Sequence, residues 1–157
     1  MTTLPTTAFG LGPLPGTDLA QAADVVLSES PLPHIPQLPD RGVGSDLIGR
    51  TAALLEIPIA PGPRGWRVAA RKRADADRMA RDLDHLEELW HGKVDTVKVQ
   101  LAGPFTLAAE VEMANGHRMI TDPGALRDLT DALLEACNQH RSDGAGRFGA
   151  TVLQLDE

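Results

Sequence analysis

ATVLQLDE, residues 150–157, decides how the rest of the chain is read. Residues 151–155 have the apolar, β-prone character of a buried strand, and two carboxylates, Asp156 and Glu157, stand at its C-terminal tip. In parallel α/β folds that tip is where chemistry gathers. Parallel strands need both faces covered, and no helix follows this one, so the sheet is expected to be unfinished after it.

Working outward, residues 94–101 read as another strand, with Val97, Val99 and Leu101 on one face and Lys98 and Gln100 on the other. Gly103-Pro104 stops it, and Pro104 fits the first position of a helix to about Met113. Asp122 and Pro123 open a helix to about His140, and SDGAGRFG (142–149) is expected to be a loop leading to the last strand. Upstream, residues 75–90 form the clearest helix, because Met79, Leu83, Leu86 and Trp90 recur at steps of four, three and four opposite a charged face. TTAFGLGPLPGTD (6–18) predicts a short strand over 6–11, a tight loop, and a helix over 18–28 capped by Thr17. PLPHIPQLPD (31–40) predicts a rigid extended loop that is neither helix nor central strand, since proline removes donors. Ser45 is expected to cap a helix to about Glu56, PGPRG (61–65) to break the chain, and residues 66–70 to form a short strand.

Strands alternating with helices imply βαβ units and a parallel sheet, that is, an α/β fold. A complete (β/α)8 barrel takes about 250 residues, so 157 residues correspond to about four of its units, as one domain.

The net charge of −7 argues against nucleic acid as a partner, which would call for a basic face. No apolar run approaches a membrane span, and residues 1–20 carry no signal-peptide pattern. A single cysteine, Cys137, excludes an internal disulfide and makes a reducing cytoplasm the simplest setting. The five histidines stand apart, and no Cys-x2-Cys or His-x3-His pair is present. Cys137 falls on an apolar helix face, as a core residue does. GLGPLPG (10–16) lacks the Gly-x-Gly-x-x-Gly spacing of a phosphate cradle, and its prolines remove donors, so it reads as a bent loop lining a pocket. RVAARKRADADR (67–78) is a local basic cluster in an acidic chain, read as a solvated helix start. No Gly-x-Ser-x-Gly elbow is present.

Three stretches together resemble one family. TTAFGLGPLPGTD is similar to an opening Thr-Thr-x-Ile-Gly-Ser-Phe-Pro-x-Thr, KVQLAGPFTLA (98–108) to a Gly-Pro-x-Thr segment after a barrel strand, and LQLDE (153–157) to the start of a Gln-x-Asp-Glu-Pro motif. With LPHIPQLPDRGVGSDLIGRTAALL (32–55), the set resembles the C-terminal domain of cobalamin-independent methionine synthase and its short actinobacterial relatives, which share a barrel with uroporphyrinogen decarboxylase. The resemblance spans the chain in order. It implies the N-terminal half of a (β/α)8 TIM barrel, with parallel strands and an extended Pro-rich loop, cut after about the fourth strand.

The resemblance further implies a zinc-dependent methyltransferase that moves a methyl group, from a folate or another donor, to the thiol of homocysteine. Zinc would deprotonate that thiol and make it a nucleophile. By position, Leu11, Gly12 and Pro13 match the Ile-Gly-Ser that lines the amino-acid pocket, Asp156 matches the first acid of Gln-x-Asp-Glu-Pro, which meets the substrate amino group, and Asp46 matches an Asp after the second loop. Pro13 replaces the family serine and loses its hydroxyl and N–H. RGVG (41–44) stands where larger members carry another acid. The zinc ligands of the family, a His-x-Cys pair, a Glu and a later Cys, follow the last motif and are absent from these residues. The enzyme reading therefore expects a fragment inactive by itself. The alternative is a non-catalytic half-barrel that binds or assembles, pairing with itself or with a second half through exposed faces. A decarboxylase of the same superfamily is disfavoured, because its Arg-rich Gln-Ala-Gly-Arg motif is missing.

Overall fold

A computed structural model describes residues 8–73 and 77–157. The elements run α1 (Leu19–Glu29), a 3-10 turn (Pro39–Arg41), α2 (Leu47–Leu54), β1 (Ile59–Gly62), β2 (Gly65–Val68), α3 (Arg78–Trp90), β3 (Thr96–Ala102), α4 (Pro104–Glu110), β4 (Val111–Glu112), a 3-10 turn (Met119–Thr121), α5 (Pro123–Phe148) and β5 (Ala150–Asp156). The fold is mixed α/β, and β3 and β5 pair in parallel from Thr96 opposite Ala150 to Ala102 opposite Asp156. Among the described residues no helix is long and apolar enough to cross a membrane.

Two further segments run alongside this pair. Lys98 N–H donates to Pro33 O at 2.8 Å and Ile35 N–H to Lys98 O at 3.0 Å, a parallel bridge between His34 and Lys98. Gln37 N–H donates to Gly12 O at 3.0 Å and Leu14 N–H to Gln37 O at 2.9 Å, a parallel bridge between Pro13 and Gln37. Residues 12–14, 33–37, β3 and β5 therefore neighbour one another in chain order. The Pro-rich segment was expected to stay out of a central position, yet it lies between 12–14 and β3. Its prolines, 31, 33, 36 and 39, skip Ile35 and Gln37, whose N–H groups make the bridging bonds.

Other expectations are corrected. Residues 8–11 form no strand, and Thr6 and Thr7 lie outside the described residues. Asp18 rather than Thr17 caps α1, accepting from Gln21 N at 3.1 Å. Asp46 rather than Ser45 caps α2, which ends at Leu54. The described part of the helix expected from residue 75 begins at Arg78. PGPRG is a hairpin turn: β1 and β2 pair antiparallel, Ile59 opposite Val68 and Gly62 opposite Gly65, and β4 adds in parallel to β2. Not every strand is therefore parallel. Pro61 is tolerated because β1 lies at the edge of this sheet. The fourth helix gives way to β4 at Val111.

The apolar face of β3 works as read. Val97, Val99 and Leu101 are fully buried. One cluster packs Val97 and Val99 against α1 and α3 through Val26, Leu83, Leu86 and Trp90. Trp90 meets Phe148 edge-on, ring centres 5.8 Å apart. A second cluster packs Leu101 and Ala102 against α2, α4 and α5 through Leu55, Leu107, Leu129 and Leu133.

Candidate functional site

The other face of β3 is buried as well. Lys98 and Gln100 alternate with valine and leucine, and both are 1% exposed. Residues 33–37 bridge to β3 and residues 12–14 bridge to them in turn, covering that face with backbone. The register places Gln154 opposite Gln100 and Asp156 opposite Ala102, so Lys98, Gln100, Gln154 and Asp156 share one face of the sheet.

These side chains form one hydrogen-bonded group around a backbone carbonyl. Lys98 Nζ donates to Leu11 O at 3.2 Å and to Gln154 Oε1. Gln154 Nε2 donates to the same Leu11 O at 3.1 Å and to Asp156 Oδ1 at 2.6 Å. Gln100 Nε2 donates to Ile35 O. The Phe9 ring lies 5.2 Å from Lys98 Nζ. Buried polar atoms without a partner line the same face: Gln100 Oε1, Gln37 Nε2 and the ring nitrogens of His34.

Burial pulls the Lys98 ammonium down from its ordinary 10.5 to about 8, with the Asp156 carboxylate opposing the shift. Burial, then the Lys98 charge, hold His34 down at about 4, against a weaker pull from the Gly12 backbone. His34 is therefore neutral at pH 7, whereas Lys98 lies close enough to neutrality to exchange its proton there, a property that buried lysines bring to binding and catalysis.

Of the residues expected at the site, Leu11, Gly12, Pro13 and Asp156 come together. Leu11 contributes its carbonyl, while its side chain is 70% exposed. Gly12 has φ +136°, and a Cβ there would stand 2.6 Å from Gln100 Nε2 and 3.0 Å from Gln37 Cδ, so glycine lets both amides close in. Pro13 loses nothing by lacking an N–H, because the ladder uses Gly12 O and Leu14 N on either side of it. Asp46 is engaged elsewhere, accepting from Gly44 N and Gly49 N at 3.2 Å each as the cap of α2. Glu157 caps α4, accepting from Phe105 N and Thr106 N.

Lys98, Gln100 and Gln154, together with His34 and Gln37, were not singled out from sequence. The available signal was the shared parity of Lys98 and Gln100, and of Gln154 and Asp156, along two paired strands. Among the described residues no three His, Cys, Asp or Glu side chains converge as a metal site. Cys137 is buried in the second apolar cluster, and burial raises its thiol pKa. The donor set present does not fit zinc. Comparison with protein families, with curated proteins and with solved structures returned no match for this chain.

Proposed function

We propose that the chain forms the N-terminal half of a methionine-synthase-type (β/α)8 barrel and carries the amino-acid-binding part of a site that methylates the thiol of homocysteine. The observation that carries this reading is the single cluster joining the Leu11 carbonyl, Lys98, Gln154 and Asp156. Four parallel segments adjacent in chain order support the barrel half, since barrel strands follow one another in that way.

Asp156 takes the α-ammonium group of homocysteine or methionine by a charge-assisted hydrogen bond. Lys98, with two of its three donors engaged, offers its charge to the α-carboxylate. Gln37 Nε2 and Gln100 Oε1 gain a polar partner when such a ligand enters. These residues bind and orient the amino acid and by themselves transfer no methyl group.

Calorimetric titration with L-methionine and L-homocysteine tests the reading. Binding to the wild type, weakened by about tenfold or more in Asp156→Asn, is the expected result. The deaminated analogue of methionine should bind both proteins equally. Absent binding, or indifference to Asp156→Asn, overturns the assignment.

A second reading, a non-catalytic half-barrel that pairs with itself or with another half, is favoured by one specific observation. Leu155 is 46% exposed on β5, which among the described residues pairs only with β3. Sedimentation at increasing concentration, with Leu155→Lys as the comparison, tests it. A monomer throughout removes self-pairing.

A further inference from the structure

Four arginines, Arg41, Arg50, Arg73 and Arg78, line one small, partly open pocket between α2, the 3-10 turn before it and the start of α3. The pocket shares no residue with the Lys98 cluster. Among the described residues its lining holds one carboxylate, Asp82, and Arg41 already occupies both of its oxygens at 2.7 and 3.1 Å.

Arg50 is the informative member. It is 8% exposed on α2, and its only polar contact among the described residues runs from Nη2 to the Met79 sulfur at 3.7 Å. Nη1 is buried without a partner. A guanidinium cannot shed its charge to escape burial, since even the lowered pKa of about 10 leaves it protonated at pH 7. A buried cation without a carboxylate of its own is costly to fold. The neighbouring arginines are held in place around it: Arg78 Nη1 donates to Ser45 Oγ at 2.5 Å, Arg73 lies over the Trp66 ring at 5.0 Å, and Arg73 Nη2 reaches Val43 O at 3.5 Å. Arg73 and Arg78 come from the basic stretch 67–78, which in sequence reads as a solvated helix start.

We propose that this pocket binds a phosphate-type oxyanion, either free or as the phosphomonoester end of a small molecule. The buried Arg50 guanidinium, with Nη1 unpartnered beside a small cavity, matches an oxyanion with many acceptor positions, and arginine is the side chain best shaped for it.

The test titrates inorganic phosphate into the full chain at low ionic strength, by calorimetry and 31P NMR. A Kd below about 1 mM is expected, with sulfate competing and chloride at equal ionic strength not competing. Arg50→Met keeps the apolar stem beside Met79 and should weaken phosphate binding by about tenfold or more. It should also abolish the phosphate-induced rise in melting temperature. If that variant does not fold, Arg78→Gln reads out the same loss. Glycerol 3-phosphate as a second probe separates the sources. Tighter binding than inorganic phosphate assigns a phosphomonoester and weaker binding a free ion, and either supports the site. Absence of phosphate binding to the wild type, or binding unchanged in both variants, overturns the proposal.

Discussion

Glu157 lies across the first turn of α4, accepting from Thr106 N and Thr106 Oγ1 at 3.0 and 3.1 Å through one oxygen and from Phe105 N at 3.2 Å through the other. The residue after β5 thereby caps the helix that follows β3, satisfying N–H groups that have no partner within the helix. Glu157→Ala should lower stability by about 1 kcal/mol in urea unfolding. Gly103 allows this contact, because a Cβ there would meet the Glu157 carboxyl carbon at 2.3 Å. Gly103→Ala should push the carboxylate off the helix. The double variant should then lose less than the sum of the two single losses, whereas strict additivity would mean that the cap and the glycine act independently.

Lys98 should titrate near pH 8 when its ε-methylene carbon is followed by NMR, against 10.5 for an exposed lysine. The folded protein releases this proton at about 8, while the unfolded chain keeps it to 10.5, so the unfolded state binds more protons in that window. Lys98 therefore lowers stability below pH 8, and its contribution should improve as pH rises from 8 to 10.5. Lys98→Met should remove that slope. Asp156 is the group that opposes the shift, so Asp156→Asn should move the Lys98 pKa lower still. An unchanged value would show that the two side chains are not electrostatically coupled.

His140 works on the acid side. Burial first, then the Arg50 charge, hold it down at about 4, with Asp143 opposing. The unfolded chain protonates this histidine at 6.5 while the folded chain resists, so stability should fall as pH drops from 6.5 towards 4. His34 acts in the same direction over the same window. His140→Leu should lose less stability than the wild type between pH 7 and pH 5 in paired urea titrations. Equal losses would assign the acid sensitivity to other groups.

The helices were legible where apolar spacing was unbroken, as at Met79, Leu83, Leu86 and Trp90, all buried on α3. The same local logic ended α5 too early. Gly144 and Gly146 look like helix breakers, yet the helix runs to Phe148. A Cβ at Gly144 would stand 2.7 Å from Thr151 Cγ2, so the glycine admits a close helix–strand approach. Arg147 then ties the last turn to Asp84, Glu87 and Asp143. Both facts are tertiary, and neither can be read from a window of neighbours. The candidate site divides in the same way. Motif order pointed to residues 11–13 and Asp156, whereas Lys98 and Gln100 read only as the face opposite Val97, Val99 and Leu101. Burial of that face depends on backbone more than 60 positions away, Gln100 reaching Ile35 O across 65 residues and Lys98 reaching Leu11 O across 87. The β1–β2 hairpin was hidden because Pro61 and Pro63 argue locally against strand.

Thr51 connects the fold to the candidate site. It is fully buried on α2, and its hydroxyl donates to Leu47 O and accepts from Ala102 N, both at 2.9 Å. Ala102 is the last residue of β3 and stands opposite Asp156, whose carbonyl accepts from Gly103 N at 2.8 Å. Thr51→Val keeps the shape but leaves the Ala102 N–H buried and unsatisfied, a loss of about 1–3 kcal/mol. Thr51→Ser keeps the hydroxyl and gives up one methyl group. In amide hydrogen exchange, Ala102 should lose protection in the valine variant and keep it in the serine variant. Because Gly103 N holds the Asp156 carbonyl, the valine variant should also loosen the strand end that carries Asp156, exposing Gly103 N to exchange. Protection at Ala102 and Gly103 unchanged by Thr51→Val would show that β3 holds its end without α2, and would remove the link between this helix and the site.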